Sequence, residues 1–350
     1  MTELPYAGDP PAATVRDDDP ALLGLTQADH GEPEDFDAFW RQTLDEARAT
    51  SPGLRRRPVD TGLVTVAVED VTFPGWGGQP VRGWLLRPIA QRGRLPLVVQ
   101  FCGYGGGRGL PLEHLTWASA GYAHLVMDSR GQGVDTPDPS AATPGPDGEH
   151  VLRGISSAAT YYYRRLIADG VRAVDCLRLD ARIDPTRIVL AGASQGGGLA
   201  LAVAALVPDI ALLLCDVPFM CHWPRALQVA ERGPYAQVAR YCARHPDQAA
   251  AALATLRYFD GRSFAARAHA PATFSLALRD QVCPPSTVLA AFNAYAGRDK
   301  ELLVHPHNGH EGGGLHQLSR NLARAKTASS SHGAEHDARP STAGIPSAAS

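Results

Sequence analysis

Large apolar side chains in the first third of the chain recur on one face of each predicted element. Residues 35–49 have helical spacing, with charged side chains opposite, which predicts an amphipathic helix. The apolar positions of this helix are Phe36, Phe39, Trp40 and Leu44. Residues 64–73 alternate between apolar and polar, and the glycine-rich turn 75–78 connects them to a second strand, residues 81–86. We therefore expect an antiparallel hairpin at the edge of a sheet.

From residue 95 onward the apolar positions occur instead in short continuous runs. These runs are residues 97–101, 123–127, 188–191, 211–215 and 273–278. Helix-like segments, notably 159–179 and 197–207, separate them. Strands that are covered on both faces have such a pattern. The sequence therefore predicts an α/β protein whose mostly parallel, twisted sheet has helices on both faces.

Other segments interrupt or flank this pattern. Residues 136–148 are dense in Pro, Gly and Asp and predict an irregular insertion. Residues 219–264 are helical in character and lie between two strands, as a cap over a site would. Residues 1–30 predict a weakly ordered arm, and residues 326–350, rich in Ser, Ala, Gly, Pro and His, predict a disordered tail. A single domain over residues 31–325 is therefore expected.

The composition of the 350-residue chain narrows the class of protein. A hydrophobic fraction of 44% is ample for a core, and a formal net charge of -3 argues against general nucleic-acid binding. No apolar stretch approaches the roughly 20 residues of a membrane span, and the N-terminus lacks signal-peptide features, so we expect a cytoplasmic protein. The six cysteines are scattered and the clustered histidines lack further ligands, so neither disulfides nor a zinc site is expected.

Ser194 is the most informative residue for function. It lies in the Gly-x-Ser-x-Gly motif of residues 192–196, after the apolar run 188–191 and before the helical segment 197–207. This order of strand, tight turn and helix is the nucleophile elbow of the α/β-hydrolase fold, which exposes the serine hydroxyl above the sheet edge. The helix N-terminus there favours developing negative charge. The motif predicts a serine hydrolase, and a plain glycine-rich turn is the alternative.

A serine nucleophile needs a histidine base and an acid that orients the histidine. In α/β-hydrolases the acid and then the histidine follow the serine along the chain. Asp280 follows the run 273–278, and His310 lies in a glycine-rich loop after the predicted strand 301–304, so we favour this pair. The alternatives are Asp216 as the acid and His305 or His307 as the base.

Ester hydrolysis also needs hydrogen-bond donors for the oxyanion of its tetrahedral intermediate. Gln195, the residue after the nucleophile, supplies one backbone N–H. The loop of residues 102–107, which follows the run 97–101, is expected to supply the second, and we take Tyr104 as its donor. A flexible glycine turn is the alternative for this loop. Chemistry by these groups requires no metal or organic cofactor.

Taken together, these segments resemble the acetyl xylan esterase and cephalosporin-C deacetylase family (carbohydrate esterase family seven). The resemblance extends from about residue 35 to about residue 325 and rests on several motifs in order. They are Gly103-Tyr104, Arg130-Gly131-Gln132-Gly133, Arg153-Gly154-Ile155, Tyr161-Tyr162-Tyr163-Arg164, Gly192-Ala193-Ser194-Gln195-Gly196-Gly197, Asp216-Val217-Pro218-Phe219, Tyr258-Phe259-Asp260-Gly261, Asp280, Cys283-Pro284-Pro285-Ser286-Thr287 and His310-Glu311-Gly312-Gly313.

The resemblance implies a function and a set of roles. Ser194 would be the nucleophile, Asp280 and His310 its relay partners, and Tyr104 and Gln195 the oxyanion donors. The substrates would be small acetylated sugars, xylo-oligosaccharides and cephalosporin C. The resemblance also implies a homo-oligomer, often a hexamer, with the irregular insertion between subunits. The net charge and the lack of a membrane-length apolar stretch predict no nucleic-acid or membrane partner.

The chain departs from the family pattern in its oxyanion loop. Cys102 stands where the family usually has histidine, so the hydrogen bonds that brace this loop are expected to differ. Val134 and Asp135 also replace small polar residues. The resemblance implies that Arg130 and Gln132 brace the loops of the site. Two other classes are an esterase or peptidase of the same fold with another preference, and a binding protein that has kept the scaffold.

Overall fold

The buried apolar runs of the sequence form the strands of one sheet. The computed structural model describes residues 31–139 and 149–337. The strands are β1 (Arg55–Val59), β2 (Val66–Pro74), β3 (Pro80–Pro88), β4 (Leu95–Phe101), β5 (Ala123–Met127), β6 (Ile183–Ala193), β7 (Leu212–Asp216), β8 (Ala272–Ala277) and β9 (Lys300–His305). The helices are α1 (Phe36–Arg48), α2 (Leu115–Ser119), α3 (Tyr162–Leu177), α4 (Gln195–Leu206), α5 (Trp223–Val229), α6 (Gly233–Arg244), α7 (Pro246–Leu256), α8 (Gly261–Ala265), α9 (Pro285–Ala294) and α10 (Gly314–Asp337).

The sheet has a parallel part and an antiparallel edge. Its strand order is β1-β2-β3-β5-β4-β6-β7-β8-β9. The pairs from β5 through β9 are parallel, and those of β1, β2 and β3 are antiparallel. Every residue of β5 and β8 is buried, because helices cover both faces of the parallel part. The predicted α/β fold is confirmed.

The antiparallel edge differs from the prediction in one strand. The hairpin of β2 and β3 forms, but β1 pairs with β2 from Arg55↔Thr72 to Val59↔Val68 and occupies the edge. The sequence Arg-Arg-Arg-Pro-Val of β1 carries no apolar alternation, because four of its five residues are exposed. Charges and a proline are common on edge strands, where they oppose further strand pairing.

Helix α3 carries charged side chains into the interior beneath the site. Asp169 accepts hydrogen bonds from Arg130 Nε (2.5 Å) and Nη2 (2.6 Å). Arg165 pairs with Asp138 at 2.8 Å. Breaking one side of a buried pair leaves an uncompensated charge, so these pairs fix the segment after β5 against α3. Arg130 thus has the bracing position that the resemblance implies.

The C-terminal region differs from the predicted tail. Helix α10 continues to Asp337, through the first part of the segment 326–350 that the composition marked as disordered. The helix packs Leu318, Leu322 and the fully buried Ala325 against the sheet, and Ala328 extends the same face. No proline occurs between residues 314 and 339, so none interrupts the helix before its end at Asp337.

Three predicted segments lie wholly or partly outside the described residues. They are the arm 1–30, residues 140–148 of the insertion and residues 338–350 of the tail. Residues 219–264, between β7 and β8, contain the helices α5 to α8. Among the described helices, none has the length and apolar character to cross a membrane.

Candidate active site

Ser194 lies at the sharp turn between β6 and α4. Its backbone has φ 57° and ψ -123°, a left-handed conformation that a non-glycine residue adopts only when its surroundings impose it. Three backbone hydrogen bonds impose it here. The Ser194 N–H donates to the Asp216 carbonyl (2.9 Å), and the Ser194 carbonyl accepts from Gly198 (3.1 Å) and Phe219 (2.9 Å).

The glycines of the turn are required by close backbone approach. A Cβ on Gly192 would lie 2.2 Å from the carbonyl carbon of Gly196. A Cβ on Gly196 would lie 2.2 Å from the carbonyl oxygen of Phe101, at the end of β4. The turn therefore packs directly against the loop after β4, which is the predicted oxyanion loop.

His310 and Asp280 complete a hydrogen-bonded series with Ser194. His310 Nε2 lies 2.9 Å from Ser194 Oγ, and His310 Nδ1 lies 2.8 Å from Asp280 Oδ2. The other carboxylate oxygen of Asp280 accepts from the N–H groups of Val282 (2.8 Å) and Cys283 (2.9 Å). The Asp280 carboxylate is buried, whereas 32% of the His310 side chain is exposed. Asp280 thus orients the imidazole, and part of the His310 ring stays accessible to a ligand.

Glu311 shapes the loop that carries His310. Its carboxylate accepts hydrogen bonds from Asn308 Nδ2 (3.0 Å) and from the Gly309 N–H (3.1 Å). Hydrogen bonds from the N–H of Glu311 itself, from Asn308 and from Gly309 lower the pKa of Glu311. The ionised carboxylate therefore closes the loop on itself beside the imidazole.

The side chains of the alternative acid and bases either hydrogen-bond other residues or are exposed. Asp216 is surrounded by amide and hydroxyl donors, which are Ser275 Oγ (3.0 Å), Gln317 Nε2 (2.9 Å) and Asn321 Nδ2 (2.7 Å). Burial raises the pKa of Asp216 to about 6 despite these hydrogen bonds. His305 lies 2.9 Å from Gln317 Oε1 and His307 is exposed. The structure therefore brings Asp280 and His310 to Ser194.

The two proposed oxyanion donors have free N–H groups. In the described residues, the backbone N–H groups of Tyr104 and Gln195 donate to no protein acceptor. The fully buried side chain of Gln195 reaches the same loop, since Nε2 donates to the carbonyls of Cys102 (3.2 Å) and Gly103 (3.3 Å). One residue thus offers an N–H and also holds the loop that offers the other.

Gln132 connects the segment after β5 to both donors. Its Oε1 accepts from the Gly105 N–H (2.7 Å), and its Nε2 donates to Gln195 Oε1 (2.8 Å). Tyr163 also donates to Gln195 Oε1 (2.7 Å), and Gln132 Nε2 donates to the Tyr162 hydroxyl (2.9 Å). A satisfied buried polar network of this kind is rigid. Gln132 therefore has the bracing position that the resemblance implies.

The Tyr104 side chain joins the oxyanion loop to helix α6. Its hydroxyl donates to Gln237 Oε1 (2.9 Å) and accepts from the Val151 N–H (3.0 Å). Burial raises the pKa of Tyr104 to about 12, so the hydroxyl stays protonated. No motif in the sequence marks Gln237, a single amide in an amphipathic helix. Through this contact, the helices of residues 219–264 reach the site.

Two buried thiols lie beside the reacting groups. Cys102, which replaces the usual histidine, donates from Sγ to the Met127 carbonyl (3.2 Å), and burial raises its pKa to about 12. Burial also raises the pKa of Cys283 well above its usual range, and the backbone N–H of this residue donates to Asp280. Both thiols are therefore protonated at neutral pH and poor nucleophiles.

The parallel sheet, the elbow at Ser194 and the Ser194–His310–Asp280 arrangement define an α/β-hydrolase. The family model of acetyl xylan esterases (AXE1) matches residues 24–327. The chain belongs to this acetyl xylan esterase family, and the resemblance seen in the sequence is confirmed.

Individual relatives agree with this assignment. The chain is 28% identical to the acetyl esterase Axe7A of Xylanibacter ruminicola over 287 residues. This alignment covers 79% of the chain. It spans only 63% of the length of that relative. The solved acetyl xylan esterase from Paenibacillus sp. R4 is 35% identical with a TM-score of 0.80, over 87% of this chain and 98% of that chain. Acetyl xylan esterase 1 from Thermoanaerobacterium sp. JW/SL YS485 is 29% identical with a TM-score of 0.79, over the same shares.

More distant structures share the fold alone. An acylaminoacyl peptidase from Pyrococcus horikoshii is 16% identical with a TM-score of 0.56, over 76% of this chain and 41% of that chain. At this identity the similarity shows a shared fold, and it gives no information about the substrate.

Proposed function

We propose that this chain is a serine esterase that removes acetyl groups from small acetylated sugars, including xylo-oligosaccharides, and from cephalosporin C. The observation that carries the proposal is the pair of hydrogen bonds that His310 makes, 2.9 Å to Ser194 Oγ and 2.8 Å to Asp280 Oδ2. A hydroxyl, an imidazole and a buried carboxylate in this order are the parts that nucleophilic acyl transfer requires.

The first half-reaction acylates Ser194. His310 Nε2 takes the hydroxyl proton as Ser194 Oγ attacks the acetyl carbonyl carbon. The N–H groups of Tyr104 and Gln195 hold the oxyanion of the tetrahedral intermediate. Asp280 fixes the imidazole tautomer and stabilises the imidazolium. His310 then gives its proton to the departing sugar oxygen, which leaves an acetyl-serine.

The second half-reaction returns the free enzyme. Water donates a proton to His310 Nε2 and attacks the acetyl carbonyl, and the same N–H groups hold the second oxyanion. Collapse of this intermediate releases acetate as His310 returns the proton to Ser194 Oγ. No metal or organic cofactor takes part in either half-reaction of this proposal.

The acetyl preference is supported by the relatives. Family members of known structure are named acetyl xylan esterases, and the curated relative is named an acetyl esterase. We expect 4-nitrophenyl acetate to be hydrolysed faster than the butyryl and octanoyl esters, because a small acyl pocket excludes longer chains. Equal rates for the three esters would favour an esterase of other preference. Parallel rates on acetylated xylobiose and cephalosporin C then rank the two proposed leaving groups.

Substitution of the nucleophile tests the mechanism. We expect Ser194→Ala to lower kcat for 4-nitrophenyl acetate by at least about 10⁴-fold, because the substitution removes the nucleophile. The thermal unfolding curve should be unchanged, because the fold stays intact. Ser157→Ala, at an exposed serine, is the matched control and keeps wild-type turnover. A fluorophosphonate probe should label the wild type and the control only. Wild-type turnover by the Ser194→Ala variant would refute the assignment.

The assembly and the location are further parts of the proposal. The family resemblance supports a homo-oligomer, in particular a hexamer, and light scattering on the purified chain measures its mass in solution. A cytoplasmic location stays a prediction from the sequence, which fractionation of the producing cells would test.

A further inference from the structure

An open groove of about 390 Å³ lies along the antiparallel edge of the sheet, between β1 and the segment after β5. Its charged lining residues are Arg55, Arg56, Arg57, Arg82, Asp70 and Asp135. The four arginines against two aspartates leave a net charge of +2 on this lining. The groove belongs to neither the triad nor the oxyanion loop, so the proposed hydrolysis does not account for it.

The negative charge in the groove is already taken up by guanidinium groups. Asp70 accepts from Arg57 Nη2 (2.9 Å), from Arg82 Nη2 and from Arg108 Nη1 (2.7 Å). Burial raises the pKa of Asp70, but these hydrogen bonds outweigh it and hold the pKa at about 2. Asp135 likewise pairs with Arg108 at 2.8 Å and with Arg82 at 3.7 Å. One carboxylate thus serves three arginines, and the exposed Arg57 keeps further N–H groups for a ligand.

The arginines of β1 present these N–H groups to the groove. Arg57 hydrogen-bonds Asp70 through Nη2, and 74% of its side chain is exposed. Arg56 pairs with Asp180 at 2.9 Å, and Arg55 beside it is exposed. A guanidinium carries five N–H donors in a planar fork that matches the oxygens of a carboxylate or a phosphate.

The lining aspartates of the groove are held rigidly by Arg108, which lies behind them. Arg108 is buried, and its guanidinium stacks 3.7 Å from the centre of the Trp84 ring. Its N–H donates to Asp128 Oδ1 (2.9 Å) and its Nε to Asp135 Oδ2 (2.8 Å). Side chains held in this way lose little conformational entropy when a ligand binds.

The groove is also close to the candidate active site along the chain. Asp135, on the groove wall, follows Gln132 by three residues, and Gln132 hydrogen-bonds the Gln195 side chain. Three residues of extended chain span at most about 11 Å. Arg82 accepts at its carbonyl from the Asp128 N–H (2.9 Å), directly after β5, so the groove opens at the same end of the sheet as Ser194.

We propose that this arginine-lined groove is an oxyanion-binding site, which takes the carboxylate of an acidic sugar or the phosphate group of a small ligand. The guanidinium donors of Arg55 and Arg57 bind the oxyanion, the paired Arg82 lines the wall, and the buried Arg108 adds positive charge behind it. Binding of this kind does not depend on the proposed hydrolysis, so the two proposals fail separately.

Calorimetric titration of the full chain at low ionic strength tests the site. The probes are D-glucuronate, inorganic phosphate and the neutral sugar D-xylose. We expect saturable binding of an oxyanion that weakens as salt is added, and no binding of xylose at the same concentration. Tighter binding of glucuronate identifies an acidic sugar as the ligand class, and tighter binding of phosphate identifies a phosphate-bearing ligand. Binding of neither anion, or equal binding of xylose, overturns the proposal.

A pair of double variants separates the site from general charge. Arg55→Gln/Arg57→Gln should weaken binding of the preferred anion at least tenfold. Arg92→Gln/Arg94→Gln removes two exposed arginines between β3 and β4 and should leave binding unchanged. Both variants should keep wild-type turnover of 4-nitrophenyl acetate, which confirms that they are folded. Equal weakening in the two double variants would show that net charge, and no defined groove, attracts the anion.

Discussion

Two aspartates lie at the carboxyl ends of neighbouring parallel strands, and only one of them reaches the histidine. Asp216 is the last residue of β7, and Asp280 follows β8 by three residues. Each carboxylate accepts three hydrogen bonds. Position at a strand end and the number of hydrogen bonds therefore do not distinguish a relay acid from a structural one.

The difference between the two lies in the donors. Asp280 takes two N–H groups of its own turn, from Val282 and Cys283, which leaves Oδ2 aimed at His310. Asp216 takes only side-chain donors, from β8 and from helix α10, and these occupy both of its oxygens. A local turn thus presents one carboxylate outward, whereas a buried amide cluster encloses the other.

The largest expected effect comes from the outward carboxylate. Asp280→Asn should lower kcat for 4-nitrophenyl acetate by about 10⁴-fold with the fold intact, because the amide favours the wrong imidazole tautomer. Steady-state kinetics with circular dichroism measure both properties. Asp216→Asn in the same assay should retain turnover within about threefold. A greater loss for Asp216→Asn than for Asp280→Asn would reverse the assignment of the acid.

The enclosed carboxylate should instead affect stability as a function of pH. Burial raises the pKa of Asp216 from 3.8 to about 6, so the folded state binds its proton more tightly than the unfolded chain does. Its contribution to the free energy of unfolding therefore falls as pH rises from about 4 to about 6, by about 3 kcal/mol. Asp216→Asn carries no such proton and should lose this dependence.

Denaturant unfolding of both proteins between pH 4 and pH 7 measures the difference. Subtracting the two curves cancels the contributions of titrating groups that do not interact with Asp216. A difference that stays constant across this range would show that the pKa of Asp216 is the same in the folded and the unfolded state, and would exclude the raised pKa.

The sequence predicted Asp280 and His310 as the partners of Ser194, but it did not predict the cluster of side-chain donors around Asp216. Chain order after a Gly-x-Ser-x-Gly turn selects Asp280 and His310, since a parallel sheet brings the ends of successive strands together. Gln317 and Asn321 gave no signal, because single amides on a helix form no motif that marks a distant partner. Strand β1 was missed for a similar reason, as an exposed edge strand has no apolar alternation.

The smallest expected effect tests the cluster without touching either aspartate. Asn321 donates to Asp216 Oδ2 (2.7 Å) and accepts from Gln317 Nε2 (3.0 Å), so Asn321→Ala removes a donor from a buried charge. We expect a loss of about 1–2 kcal/mol in the free energy of unfolding at pH 7, where Asp216 is ionised, and less at pH 4.5, where it is protonated. Asn293→Ala, an exposed helical asparagine, is the matched control for helix propensity.

Turnover of the Asn321→Ala variant should stay at the wild-type level, because Asp280, His310 and Ser194 keep their hydrogen bonds. A destabilisation equal at the two pH values would mean that Asn321 acts by packing, and a fall in kcat would mean that the cluster positions the His310 loop.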